Sequence, residues 1–89
     1  MKYTVYGIYA PKYEKIYIGY TSDLAGRMLS HNELGHKGWT KNYRPWKLVH
    51  TEMFATKREA MKREKQLKTA KGRRFIWQQV EIWKQKNHE

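Results

Sequence analysis

Glu64 is the carboxylate in this sequence that is best placed to hold a cation. Ala60 and Met61 lie four and three positions before it, and Leu67 lies three positions after it. On a helix these apolar residues share its face, and a carboxylate beside a core-facing stripe is costly unless it is paired or binds a cation. Two interpretations stay open: an ion pair with Lys68 one turn later, which the pattern alone favours, or a metal ligand or general base.

Arg27 and His31 form a second pair whose spacing matters. They are four positions apart, so they lie on one face of a helix. The ordinary interpretation is a solvated polar face. The functional interpretation is a phosphate-binding pair, in which the guanidinium supplies a rigid fork of donors.

Tyrosines crowd the first twenty residues of the chain. They are Tyr3, Tyr6, Tyr9, Tyr13, Tyr17 and Tyr20. Tyrosine is a good strand residue, so most of these rings are expected to pack on a sheet. A few of them could present hydroxyl groups to a groove.

The charge of the chain indicates a polyanionic partner. Its 89 residues include 19 Lys and Arg against 8 Asp and Glu, a formal net charge of +11. Nucleic acid and an anionic membrane surface are the two candidates. No run of about 18 apolar residues is present, so no membrane span is predicted. The basic residues follow no amphipathic helix with an exposed apolar face, which disfavours the membrane surface.

Two segments concentrate the positive charge. Between Lys57 and Arg74, nine basic residues face only Glu59 and Glu64, an excess that suits a phosphate track. The second segment is residues 35–45. The predicted nucleic-acid contacts from both segments are Lys37, Lys41, Arg44, Lys68, Lys71, Arg73 and Arg74.

Aromatic residues interleave with the basic residues of the second segment. Trp39, Tyr43 and Trp46 could stack on a nucleic-acid strand that the neighbouring cations hold. A tryptophan such as Trp46 is more often part of a core.

Several other kinds of site lack the residues they need. The absence of cysteine excludes a disulfide scaffold and a thiolate zinc site, and the four histidines have no helical pair spacing. Gly35 and Gly38 lack the Lys-Ser/Thr of a phosphate loop, and no nucleophile elbow is present. Without a charged-then-apolar segment at the start, the chain is expected to be cytoplasmic.

The first half of the chain predicts a hairpin and a helix. Residues 3–9 and 15–20 are rich in β-branched and aromatic residues and read as two antiparallel strands. A helix is expected from about Asp23 to Leu34, capped by Ser22 or Asp23 and ended by Gly35. Residues 35–45 are expected to form a basic loop.

The second half predicts one strand and two helices. Apolar residues of the segment 46–54 occur at both even and odd positions, which point to opposite faces of a strand. This favours a strand that is buried on both faces at the centre of the sheet. Thr56 and Glu59 form a capping box that opens a helix to about Thr69. Gly72 is expected to interrupt the helical pattern and to separate this helix from a last helix at 73–86.

These elements predict a single α/β domain over residues 1–89. A small three-stranded sheet is flanked by helices in the order β-β-α-β-α-α, with a core at about residues 3–70.

Taken together, the quoted residues resemble the GIY-YIG nuclease superfamily, in its short stand-alone branch. The resemblance covers about residues 3–70. Each motif alone is weak evidence for the family, and the evidence is strong only when the motifs are taken in this order and spacing. They are Thr4-Val5-Tyr6, Tyr17-Ile18-Gly19, Thr21 to Leu24, Arg27, His31-Asn32, Arg44 to Val49 and Glu59 to Lys68. The chain departs from the repair-enzyme branch at residues 71–75, where a helper Asn is expected and none is found.

The resemblance implies roles for five residues. Glu64 would be the single carboxylate ligand of Mg²⁺ or Mn²⁺, and Arg27 would stabilise charge on the scissile phosphate. Tyr6 would act as general base or position the attacking water, with Tyr17 sharing that work. His31 would orient a tyrosine or bind phosphate. A free tyrosine has a pKa near 10, so basic catalysis needs a nearby cation to favour the phenolate.

The literal Gly7-Ile8-Tyr9 is not taken as the motif. Members of this branch begin the strand with Val-Tyr and two apolar residues, which assigns the first tyrosine to Tyr6. Tyr6 and Tyr9 face opposite sides of a strand, so only one of them can reach the site.

The function implied by the resemblance is divalent-metal-dependent endonuclease activity on DNA. The alternative is a nucleic-acid-binding module that has lost cleavage, although binding alone needs none of the implied catalytic residues. Oligomeric state, cleavage sequence and the choice between DNA and RNA stay open.

Overall fold

The computed structural model describes residues 2–35 and 38–87. Within them, three strands form one antiparallel sheet in the order β2-β1-β3: β1 (Tyr3–Ala10), β2 (Lys15–Thr21) and β3 (Lys47–Phe54). The described α-helices are α1 (Leu24–Leu29), α2 (Lys57–Leu67) and α3 (Ala70–Asn87). The predicted fold class and the order β-β-α-β-α-α are confirmed. No helix in the described ranges has the length and apolar character needed to cross a membrane.

The central strand is β1, whose alternating residues divide the core in two. On one face, Val5 and Tyr9 pack with buried residues of α2 and α3. On the other face, Tyr6, Ile8 and Ala10 pack with Trp46, and α1 covers them. Two neighbouring residues of β1 therefore reach different environments, as the two-residue period of a strand requires.

The prediction that residues 46–54 form the central strand is wrong, because β3 lies at the edge of the sheet. Gly7 pairs with His50 while Ile8 pairs with Leu48, so Val49 is the extra residue of a β-bulge. The bulge shifts the alternation of inward- and outward-facing residues by one position. Apolar residues therefore occur at both odd and even positions although only one face of the strand is buried. Leu48 and Met53 are exposed, Met53 at 63%.

The helix starts follow the predicted caps, and the helix ends differ. Asp23 accepts a bond from the Gly26 amide, and Thr56 forms the predicted capping box. The first helix changes after Leu29 into a π-helical turn (Ser30–Leu34), and residues 39–43 of the expected loop form a 3₁₀ helix.

Gly72 does not break a helix as predicted but lies inside α3. A Cβ at this position would lie 2.3 Å from the Gln66 carbonyl oxygen and 2.4 Å from the Leu67 Cα. The glycine therefore permits the backbone of α3 to approach the end of α2, and the break between them falls at residues 68–69.

A charged cluster fixes α2 to β3. The Arg63 guanidinium donates to both Glu52 carboxylate oxygens, at 2.7 and 3.0 Å, and the His50 Nε2 lies 2.7 Å from the same carboxylate. The Phe75 ring of α3 packs beside the His50 ring and the Arg63 guanidinium. The pKa of Glu52 lies below its ordinary value of 4.5, mainly because Arg63 donates hydrogen bonds to the carboxylate. The hydrogen bond with His50 lowers this pKa further.

Replacing Glu52 by Gln should lower the free energy of unfolding at pH 7 by about 1–3 kcal/mol, because charge-assisted hydrogen bonds are lost. A carboxyl with a lowered folded pKa contributes stability above its unfolded pKa and loses it as pH falls through the folded pKa. Wild type should therefore lose more stability than Glu52→Gln between pH 5 and pH 3. Denaturant unfolding followed by circular dichroism measures this, with exposed Glu81→Gln as control; parallel pH curves would contradict it.

Candidate active site

An open cleft of about 470 Å³ lies at the β2 side of the sheet. Strands β1 and β2, helix α1 and helix α2 all contribute side chains to it. Its lining residues are Tyr3, Tyr6, Tyr17, Gly19, Tyr20, Thr21, Ser22, Arg27, Lys57 and Glu64. The structure thus brings together four of the five residues for which the resemblance implies catalytic roles, and the fifth, His31, contacts two of them, Tyr6 and Tyr17.

The pairing of β1 with β2 decides which tyrosine reaches the cleft. Tyr6 pairs with Gly19 and is 1% exposed, with its ring centroid 6.4 Å from that of Tyr17. Tyr9 lies on the opposite face, where its ring packs edge-on against Trp77 and Trp83. The cleft therefore contains Tyr6 and not the tyrosine of the literal Gly-Ile-Tyr.

Gly19 is required by the position of the Tyr6 ring. A Cβ on Gly19 would lie 2.7 Å from the Tyr6 Oη and 2.9 Å from its Cζ, and 3.2 Å from Cε2 of Tyr17. Since the Tyr6 ring is enclosed by the core, it has little room to move away. The sequence marks Gly19 only as part of a motif, whereas the structure gives the physical reason for it.

His31 connects Tyr6 to the segment that follows the π-helical turn. Its Nε2 lies 2.8 Å from the Tyr6 Oη, and its Nδ1 lies 3.0 Å from the Thr40 Oγ1. Both His31 and Thr40 are buried. Nothing in the sequence pointed to Thr40, because it lies in a segment that was expected to be an irregular loop.

The hydrogen bond between His31 and Tyr6 joins two groups that burial keeps neutral. Burial, followed by the charges of Arg27 and Arg44, lowers the pKa of His31 below 6.5, so the imidazole is neutral at pH 7. Burial, followed by the neighbouring Tyr17 hydroxyl, raises the pKa of Tyr6 well above its usual range. With both groups neutral, two arrangements fit the distances: the phenol donates to Nε2 and Nδ1–H donates to Thr40, or Nε2–H donates to the phenol oxygen and the Thr40 hydroxyl donates to Nδ1.

Arg44 holds the π-helical turn in place. Its Nε donates to the His31 carbonyl at 2.6 Å, and its Nη2 donates to the carbonyls of Ser30 at 3.1 Å and Gly35 at 2.5 Å. These carbonyls lie at a helix end, where the backbone cannot satisfy all of them. The guanidinium thus supports the backbone of the turn, and the phosphate contact of Arg44 stays a prediction.

Asn32 and Trp46 attach the same turn to β3. The Asn32 side chain donates to the Trp46 carbonyl at 3.1 Å and accepts from the Trp46 amide at 2.6 Å. The Trp46 ring is 2% exposed, and its N–H donates to the Thr40 carbonyl at 2.8 Å. Trp46 is therefore a core residue that helps to place Thr40 beside His31.

Of the two interpretations that the sequence left open for Glu64, the ion pair is formed and the metal ligand stays a prediction. Its side chain is 17% exposed and lies 3.3 Å from the Lys68 Nζ, so the ion pair along the helix forms. The same carboxylate also lines the cleft with Tyr6 and Arg27. In the described part of the chain, no group of three or more His, Cys, Asp and Glu side chains could share a metal ion.

Among the described residues, none of the predicted nucleic-acid contacts lines the cleft itself. Lys41, Lys71, Arg73 and Arg74 are exposed, and Lys37 lies outside the described residues. Lys68 and Arg73 line a second hollow beside β2. Lys57 lines the cleft itself and was not among the selected contacts, although it is the first residue of the basic segment 57–74.

Comparison with known proteins gives consistent relatives. A family model described as the GIY-YIG catalytic domain matches residues 2–77. A UPF0213 protein of Bacillus pumilus is 40% identical over 76 residues, covering 83% of this chain and 78% of that protein. A UPF0213 protein of Bacillus velezensis is 45% identical over 64 residues, covering 68% and 65%.

A solved structure agrees with these sequence relatives. The solution NMR structure of the UPF0213 protein BH0048 from Bacillus halodurans superimposes with a TM-score of 0.54 at 29% identity. The match covers 88% of this chain and 84% of that chain. The names of these relatives state no activity.

Replacing Gly19 by Ala should displace the Tyr6 ring and break its bond to His31, with a loss of about 1–3 kcal/mol in the free energy of unfolding. The imidazole ¹⁵N shifts of His31 in NMR spectra should change with it. Gly7→Ala is the matched control, since its Cβ would meet Ile76 of α3 at 3.1 Å on the other face of β1. It should alter stability and leave the His31 shifts unchanged; identical His31 spectra for Gly19→Ala and wild type would contradict the assignment.

Proposed function

The chain belongs to the GIY-YIG catalytic-domain family, and on that basis we propose that it is a divalent-metal-dependent endonuclease that hydrolyses phosphodiester bonds in DNA. The observation that carries the proposal is the convergence of Tyr6, Tyr17, Arg27 and Glu64 on one cleft. A net charge of +11 supplies the attraction for a polyanionic substrate.

The donor set of the cleft fits a hard divalent cation. GIY-YIG nucleases generally use divalent metals, and Glu64 is the carboxylate that would hold Mg²⁺ or Mn²⁺ here. One carboxylate leaves the remaining positions to water and phosphate oxygens, which suits Mg²⁺ and does not suit zinc. When bound, such an ion neutralises the charge of the phosphate and polarises it for attack.

Tyr6 and His31 supply a path for the proton of the attacking water. As the water oxygen bonds to phosphorus and the P–O bond to the leaving strand breaks, the proton of the water passes to the Tyr6 Oη and the phenolic proton passes to the His31 Nε2. The leaving oxygen takes a proton from solvent. The route uses the tautomer in which Nδ1–H donates to Thr40 and the lone pair of Nε2 is directed at Tyr6. This route removes the need for a free phenolate, which the raised pKa of Tyr6 makes rare at neutral pH.

Arg27 and Tyr17 act on the charge and position of the substrate. Arg27 lines the cleft and presents a guanidinium that stabilises the charge building on the phosphate oxygens. Tyr17 lies with its ring centroid 5.1 Å from that of His31, on the cleft side of Tyr6. From that position it can hydrogen-bond the attacking water or a phosphate oxygen.

One observation favours a second candidate, a binding module that has lost cleavage. The carboxylate of Glu64 is paired with Lys68, so a structural role accounts for its burial without any metal. Basic residues around the cleft would then supply affinity alone. Cleavage assays separate the two functions directly.

Replacing Glu64 by Gln should abolish cleavage of labelled DNA and RNA strands, duplexes and branched substrates in Mg²⁺ or Mn²⁺, because the cation ligand is lost. Affinity for the substrates and the melting temperature should stay near those of wild type. The matched control is Glu81→Gln, which removes an exposed carboxylate from α3 and should leave cleavage unchanged. Wild-type activity in excess chelator, or in Glu64→Gln, would reject the metal role; binding without cleavage by wild type would favour the binding module.

Tyr6→Phe should slow single-turnover cleavage on the order of 10²-fold or more, because the proton loses its acceptor. Tyr9→Phe on the opposite face should leave the rate nearly unchanged. Since neutral His31 is the acceptor, the wild-type rate should rise with pH through the lowered pKa of His31, below 6.5, and then stay level. His31→Gln should lose this rise; an unchanged pH profile in that variant would remove His31 from the proton path.

A further inference from the structure

Three aromatic rings form a continuous surface outside the cleft, called here the aromatic shelf (Tyr13, Trp39 and Tyr43). The Tyr43 ring lies between the other two, with centroids 5.4 Å from Tyr13 and 4.6 Å from Trp39. Tyr13 and Trp39 are each 44% exposed. Tyr43 packs against the core cluster that contains Tyr6 and Trp46, whereas Tyr13 and Trp39 belong to neither core cluster.

The aromatic shelf lies along the same strand that forms the cleft. Lys15, at the start of β2, lies over the Tyr43 ring, with its Nζ 5.7 Å from the centroid. Two residues further along β2, Tyr17 lines both the cleft and the second hollow that Trp39 also lines. Lys15 and Tyr17 share one face of the strand. A continuous path therefore leads from the shelf, past Trp39, to the cleft.

Cations border this path and define the chemistry of its occupant. Lys15 lies at the shelf, and Lys68 and Arg73 line the hollow opposite Trp39. Exposed rings beside positive charges suit a ligand that has flat apolar faces and negative charges at regular intervals. A nucleic-acid strand with unpaired bases has both, whereas a fully paired duplex hides its base faces in the stack.

We propose that the aromatic shelf stacks unpaired bases of the strand whose phosphate enters the cleft. Lys15 holds phosphates at the shelf, and Lys68 and Arg73 hold those between the shelf and the cleft. The preferred substrate is then a strand that is unpaired on one side of the scissile bond. This inference rests on the proposed nuclease function for the position of the scissile phosphate, but the stacking itself can be measured without cleavage.

The test uses an oligothymidine that carries 2-aminopurine, a base whose fluorescence falls when it stacks. Binding is measured in the Glu64→Gln background with chelator present, so that the result does not depend on cleavage. Trp39→Leu should weaken binding by about 5- to 150-fold, the fold-change that corresponds to one stacked base. The quenching should be largely lost. Affinity for a fully paired duplex of the same length should change less than about 2-fold.

Salt dependence separates stacking from charge. Trp39→Leu should leave the slope of log affinity against log salt unchanged, because no phosphate contact is lost. Lys15→Ala should reduce that slope by about 0.7, the value for one contact with a single strand.

Further variants keep the test independent of folding. Trp39 contacts the buried Trp46 ring, so Trp39→Phe should restore quenching if an aromatic face is what matters. Tyr13→Leu changes the outer end of the shelf and should weaken single-strand binding with little effect on the melting temperature. Met53→Ala, at the other edge of the sheet, is the control and should leave binding unchanged.

The proposal is overturned if Trp39→Leu and Tyr13→Leu, both folded, bind the single strand as tightly as the parent. It is also overturned if they lose affinity for strand and duplex equally. A chain that shows shelf-dependent stacking but never cleaves supports this inference and rejects the proposed nuclease. A chain that cleaves duplex and single strand equally, without quenching of 2-aminopurine fluorescence, supports the proposed nuclease and rejects this inference.

Discussion

The site depends on the contact between the Tyr6 ring and the bare backbone of Gly19. That contact exists because β1 and β2 pair in one register, which places Gly19 opposite Tyr6. A shift of one residue would turn Tyr6 to the other face of the sheet. It would also place a side chain where the ring now lies. The geometry of the cleft is therefore determined by strand pairing before any polar contact is made.

Around this contact, a set of hydrogen bonds converts an irregular segment into a fixed support for His31. Arg44 satisfies the carbonyls of the π-helical turn, and Asn32 and Trp46 exchange two bonds across its end. Buried polar groups that are all satisfied hold one arrangement firmly. No buried side-chain nitrogen or oxygen in the described residues lacks a partner. The imidazole is consequently oriented by the backbone behind it as well as by Tyr6.

Local sequence patterns correctly predicted the features that depend on residues close in sequence. They failed for features that are determined by residues distant in sequence. The capping box at Thr56 and the assignment of the two faces of β1 follow from short-range rules. The edge position of β3 depends on a bulge at Val49, and the helical position of Gly72 depends on the approach of α2. The support that Arg44 gives to the π-helical turn could not be predicted from the sequence, because the carbonyls that it binds lie 9 to 14 residues away.

The bulge in β3 also affects how the molecule behaves at high concentration. An exposed edge strand presents unpaired donors and acceptors to another chain and is a template for aggregation. In β3 this row is interrupted at Val49 and divided into two short stretches, residues 47–48 and 50–54. An incoming strand cannot pair with both in one register, even though Leu48 and Met53 are exposed there. The bulge that made β3 look like a central strand in the sequence thus makes this edge of the sheet a poor template for extension.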